Sequence, residues 1–182
     1  MIPVYENYRD YQPPRYVYPT ICRLLSCVPE NYLSGLALIV LTNAEAVGKG
    51  KTRRVAGKKY ARRDCLGFYH PERKGEAAWI EIVVDNILAE SFGTVRVLSY
   101  IPVARDVSFA RVLYHEIGHH LDRTIGAPAP SGEEAAEAWM KNLARPYFRR
   151  RYWYVRPFLP PAERLLEWCL KIAKRRAGFD KL

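Results

Sequence analysis

LYHEIGHHLD, Leu113 to Asp122, decides how the rest of this chain is read, because it holds three of the four histidines in a 182-residue sequence. Apolar residues recur around it at helical spacing, and in a helix residues four apart lie on one face, about 6 Å apart along the axis. His115 and His119 can therefore aim two imidazoles at one point, as two of the ligands of a zinc ion with Zn to N distances of about 2.0 to 2.1 Å. Glu116 sits about 100° round the helix from His115. It is badly placed to be a third ligand and well placed to reach a water beside the metal, as a general base must.

A catalytic zinc usually has a third protein ligand and an open position. Asp122 is the nearest carboxylate, but its Cα lies about 10 Å along the axis from that of His115. It reads as a supporting partner of the site or a helix-end carboxylate. His120 points away from His119 and reads as solvent-facing or turn-contacting. The following segment offers Glu133, Glu134 and Glu137 on a helix capped by Ser131 and running towards Pro146. Glu133 and Glu137 share a face and Glu134 lies off it. A short loop, Gly126 to Pro130, would fold this helix back beside the first, so that one carboxylate binds the metal and another orients a histidine.

HEIGHHLD followed by EEAAEAW resembles the gluzincin clan of zinc metallopeptidases, in which His-Glu-x-x-His is completed by a glutamate on a downstream helix. Glu133, Ala136, Glu137 and Trp139 are similar to the glutamate helix of lethal-factor-like and ImmA/IrrE-like peptidase domains. The resemblance implies Glu133 as third Zn2+ ligand beside His115 and His119, Glu116 as catalytic base, and Glu137 in support. A third histidine six residues after His119, the metzincin arrangement, is absent, because Ile125 stands there. The short chain, with strands ahead of two active-site helices, also resembles the minigluzincins. That likeness covers about Gly93 to Leu143 well and the earlier strands in outline.

In such folds the strand before the active-site helix pairs with an extended peptide substrate, which would assign that role to TVRVLSY, Thr94 to Tyr100. Many gluzincins add a tyrosine or histidine that stabilises the tetrahedral intermediate. Tyr147, Tyr152, Tyr154 and His70 are the residues of that kind, with no motif marking one of them. Minigluzincins as a family show latency, with a terminal segment over the cleft. Arg149 to Leu182, or the tyrosine-rich first 18 residues, would play that part here.

Outward from this centre, residues 1–18 read as an extended arm, because Pro13, Pro14 and Pro19 oppose regular structure. PTICRLLSCV, from Pro19, has helical spacing, and GLALIVLT has the length and branching of a buried strand. CLGFYHPERKGEAAWIEIVVDNI reads as two strands about a turn at Pro71 to Gly75, and GTVRVLSYIPV as a further strand ended by Pro102. Asp106 or Ser108 would cap the His-Glu-x-x-His helix, which stops near Thr124. Strands first and helices afterwards predict an α+β fold. The expected form is a minimal zincin-like domain over 19–148, with a small mixed sheet on the two active-site helices and a helix at each end. The basic, aromatic segment 149–182 then carries an amphipathic helix, Ala162 to about Arg176, packing on the domain.

The net charge of +10 favours anionic partners. YFRRRYWYVR interleaves arginine with aromatic rings, which suits phosphates and stacked bases. The rival reading is thus a nucleic-acid-associated or regulatory protein that keeps a peptidase fold without turnover. GKGKT imitates the end of a phosphate-binding loop, but Glu45 stands where its first glycine belongs, so the region reads as a solvated loop or hairpin tip. Cys22, Cys27, Cys65 and Cys169 form no CxxC pair, which leaves buried thiols as the expectation. One glutamine and few methionines beside many Arg, Tyr and Pro suit a hot environment. No apolar run spans a membrane, the N-terminus is unlike a signal peptide, and a cytoplasmic location is expected.

Overall fold

The elements follow in the order β1 (Val4–Asn7), α1 (Val17–Leu25), β2 (Leu36–Thr42), α2 (Ala44–Val47), β3 (Thr52–Val55), β4 (Lys58–Ala61), β5 (Gly67–His70), β6 (Ala78–Val83), α3 (Val84–Phe92), α4 (Pro102–Thr124) and α5 (Glu133–Arg151). This computed structural model describes residues 2–48, 52–55, 58–73, 75–93, 95–126 and 132–154. The fold is α+β, with strands gathered ahead of the long helices. The expected cap Ser131 and the helix expected over Ala162 to Arg176 lie outside the described residues.

β2 and β6 are short, branched runs at the centre of a four-stranded sheet of order β1-β2-β6-β5. β1 and β6 flank β2 in parallel, while β5 runs antiparallel to β6 and forms one edge. Ile39, Leu41, Ile80 and Ile82 share one face of the sheet and are fully buried, while on the other face Thr42 and Val83 are buried and Leu38, Val40, Trp79 and Glu81 only partly so. α1 and α4 pack together, tied where the buried Tyr114 hydroxyl donates to the Leu24 carbonyl at 3.0 Å. Phe68, Val47 and Val83 make a smaller cluster, joined by Ala44 and Cys65.

Several expectations change. The arm over residues 1–18 is not free: Val4 to Asn7 pair in register with Ile39 to Thr42, and α1 already starts at Val17. Pro19 is tolerated there because it stands in the first helical turn, where its missing N–H would have had no intrahelical acceptor. GTVRVLSYIPV is not a strand; Arg96–Tyr100 form a 3-10 helix. The alternation does not mark a buried face, since Val95 is 50% and Val97 69% exposed. The segment thus has neither ladder nor core to hold it extended. Pro102 does not end a strand but occupies the first turn of α4, where proline's fixed φ suits a helix start.

Asp106 caps nothing and is fully buried. It pairs with Arg23 at 2.8 Å and accepts a hydrogen bond from the Tyr147 hydroxyl, locking α1, α4 and α5 together. Ser108 likewise donates back to the Ala104 carbonyl at 3.0 Å. α3 carries no separate signal in the sequence, because its first residue follows directly on β6.

The chain divides into two compact units, Met1–Tyr147 and Phe148–Leu182. α5 runs through Pro146 rather than ending before it, so the division falls inside a helix. Of the second unit the described part is 148–154, where Phe148 and Tyr152 stack at 5.8 Å. Cys22, Cys27 and Cys65 form no disulfide, and Cys27 is exposed rather than buried. No helix among the described residues is long and apolar enough to cross a membrane.

Candidate metal centre

His115 and His119 lie one turn apart on α4, their rings 4.7 Å centre to centre and 83° to each other. Glu133, the first residue of α5, brings one carboxylate oxygen to 3.2 Å from His115 Nε2 and 3.7 Å from His119 Nε2. One donor atom from each of the three lies within 4.8 Å of the others. Zinc with arms of about 2.0 to 2.2 Å in tetrahedral array sets its donors about 3.3 to 3.6 Å apart. The two carboxylate distances bracket that range, so the residues fit such an ion. The Glu133 side chain is half exposed.

The close approach of α4 and α5 makes this possible. A Cβ placed on Gly118 would stand 2.5 Å from the Ala136 carbonyl oxygen and 2.8 Å from its Cα. Only a residue without a side chain permits that crossing. Ala135 and Ala136 are both fully buried, and Ala136 follows Glu133 by less than one turn. A glycine inside a helix costs about 1 kcal/mol relative to alanine and signals a packing reason, a signal that Gly118 carries within HEIGHH.

Asp122 acts at the same junction. Its carboxylate accepts the Gly132 N–H at 2.9 Å, immediately before Glu133, and places a negative charge at the α5 N-terminus. Replacing Asp122 with alanine is expected to cost about 1 kcal/mol of stability, as for a lost helix cap. It should also weaken zinc binding by about tenfold through Glu133. Thermal unfolding and competition against a chromophoric chelator measure the two effects, and Asp122→Asn, which keeps an acceptor, should show little of either.

Glu116 is 5% exposed. It faces the edge strand: a Cβ on Gly67 would lie 2.9 Å from Val112 Cγ1 and 3.0 Å from Glu116 Cγ. Glu116 and His115 share a cleft of about 430 Å³ with Leu66, Gly67, Val112 and Met140. Arg111 of α4 and Glu90 of α3 form an ion pair at this cleft.

Glu137 also lines the cleft, but its carboxylate pairs with Lys141 at 2.7 Å one turn on. That ammonium holds the carboxyl below its usual titration range, with a smaller lowering from His115. Glu134 is exposed and outside the triad.

His120 is not solvent-facing but 99% buried, at 1% exposure. Its Nε2 donates to the Ser34 carbonyl at 2.9 Å, which leaves Nδ1 to accept from the Tyr69 hydroxyl at 3.2 Å. Burial lowers its pKa, against a smaller opposing effect of the Ser34 carbonyl, and keeps the ring neutral. It belongs to the core beneath the site.

Two of the residues considered for stabilising the reaction's negative charge are placed elsewhere. Tyr147 is buried on Asp106, four turns of α5 or about 20 Å beyond Glu133. His70 faces away from α4, because Gly67 and Tyr69 take the alternate positions that face it. It stacks on Trp79 at 3.7 Å and meets Glu81 at 3.2 Å. Tyr152 and Tyr154 fall in the second unit.

The chain matches no family model, no curated protein and no solved structure.

Proposed function

We propose that this protein is a zinc-dependent metalloendopeptidase of gluzincin type. The observation that carries the proposal is the convergence of His115, His119 and Glu133 beside the buried Glu116 at the wall of a cleft. His115, His119 and Glu133 would hold the ion, which when bound acidifies a water and polarises a carbonyl. Glu116 takes the proton of the attacking water and passes it to the leaving amine, so that one carboxylate serves first as base and then as acid. Its burial against Gly67 and Val112 suits this by limiting bulk water around the carboxylate.

An extended peptide is taken up along β5, the edge strand next to Glu116. An edge strand presents backbone groups outward, and strand addition would use them. This moves the role expected of the segment that holds the 3-10 helix Arg96–Tyr100 to Gly67–His70.

The test is the zinc content of metal-loaded protein after dialysis. About one equivalent per chain is expected for the wild type and for Glu134→Ala, and much less for Glu133→Ala and His119→Ala. A folded wild type that retains no zinc would overturn the proposal, and equal loss in Glu133→Ala and Glu134→Ala would overturn the ligand assignment.

A further inference from the structure

β3 and β4 form a two-stranded ribbon that pairs with neither edge of the main sheet. Between Lys49 and Arg63 the sequence has Lys49, Lys51, Arg53, Arg54, Lys58, Lys59, Arg62 and Arg63, and no Asp or Glu. In the antiparallel register Arg54 stands opposite Lys59, and Arg53 opposite Tyr60. Like charges at directly opposed positions destabilise a strand pair, and an isolated two-stranded ribbon is marginal at best. The ribbon's own sequence supplies no carboxylate to offset these cations.

Both ends of the ribbon are anchored to consecutive residues of α3. Asp85 accepts the Ala44 N–H at 3.0 Å on the incoming side, and Asn86 donates to the Cys65 carbonyl at 2.8 Å, and to that of Arg63, on the outgoing side. Tethering at the base leaves the charged strands as an element with its own pairing and a fixed attachment.

We propose that the β3 to β4 ribbon binds duplex DNA. Two strands about 4.8 Å apart, with residues on both faces, match a major groove about 12 Å wide. Duplex DNA presents one charge per about 1.7 Å of axis, dense enough to meet cations from both strands at once. Phosphate neutralisation relieves the Arg54 and Lys59 opposition, so binding and ribbon stability are linked. The ribbon stands apart from His115, His119 and Glu133 in sequence and pairing, and this function does not depend on the peptidase reading.

The experiment is fluorescence anisotropy of a labelled 20-bp duplex titrated with the zinc-loaded full chain over a salt series. Wild type should bind with Kd no weaker than about 100 μM at physiological salt, and log K should fall linearly with log salt. The variant carrying Arg53→Gln, Arg54→Gln, Lys58→Gln and Lys59→Gln should bind at least tenfold more weakly, with a salt slope shallower by about 3 to 4. A variant carrying Arg149→Gln, Arg150→Gln and Arg151→Gln should retain the wild-type slope. In wild-type protein, DNA should also protect Lys58 and Lys59 from acetylation while Lys141 stays reactive, a readout that holds even if the fourfold variant unfolds. No binding at 100 μM, loss of slope only in the Arg149 to Arg151 variant, absence of that protection, or equal affinity for polyglutamate of the same charge would overturn the proposal.

Discussion

Glu116→Gln is expected to reduce peptide hydrolysis by about 10²- to 10⁴-fold, the usual contribution of a positioned general base. The substitution keeps volume and shape, so the contacts with Gly67 and Val112 survive. Glu116 is not one of the three residues grouped as donors, His115, His119 and Glu133. Zinc content and melting temperature should therefore match the wild type while turnover falls. Rates on an unstructured protein substrate, measured beside zinc analysis of the same samples, separate these effects. Unchanged hydrolysis would remove Glu116 from the mechanism. Loss of zinc together with activity would mean that it supports the metal instead.

Gly118→Ala should have the second large effect, and it reaches the site through packing alone. The added methyl would overlap the Ala136 carbonyl oxygen at 2.5 Å and Ala136 Cα at 2.8 Å. Both atoms belong to a helix backbone, so neither can turn aside as a side-chain tip does, and α5 must shift as a body. Overpacking of this kind costs about 1 to 3 kcal/mol, of which the better helix propensity of alanine returns up to about 1 kcal/mol. Glu133 moves with Ala136, and zinc affinity should fall by about 10- to 100-fold. Denaturant unfolding of the metal-free protein reads the first effect and chelator competition the second. Wild-type values in both would mean that the two helices do not approach as described.

How much of this was legible beforehand depends on the range over which each feature is determined. His115, Glu116 and His119 are related by helical geometry alone, so their arrangement follows wherever the segment is helical. Leu36 to Thr42 and Ala78 to Val83 are apolar enough that burial is their main alternative to aggregation, and both are central strands. Thr94 to Tyr100 have the same branched content and alternation, yet a strand exists only where another strand supplies its hydrogen bonds. Val4–Asn7 took the edge beside β2 and Gly67–His70 the edge beside β6. The 3-10 helix of Arg96–Tyr100 follows from that outcome, which no local pattern records.

The sequence by itself determined the α+β order of elements, the histidine pair with its neighbouring carboxylate, and a downstream helix rich in glutamate. All three depend on residues a few positions apart, where helix and strand periodicity act directly. Only the tertiary structure decided that Glu133, rather than Glu134 or Glu137, meets both histidines, that His120 is a core residue, and that β5 borders Glu116. Those outcomes depend on how closely α4 and α5 cross at Gly118 and Ala136, and on which strand reached the sheet edge. Both are set by packing between segments far apart in the chain, where side-chain volume and backbone pairing, rather than local spacing, carry the energy.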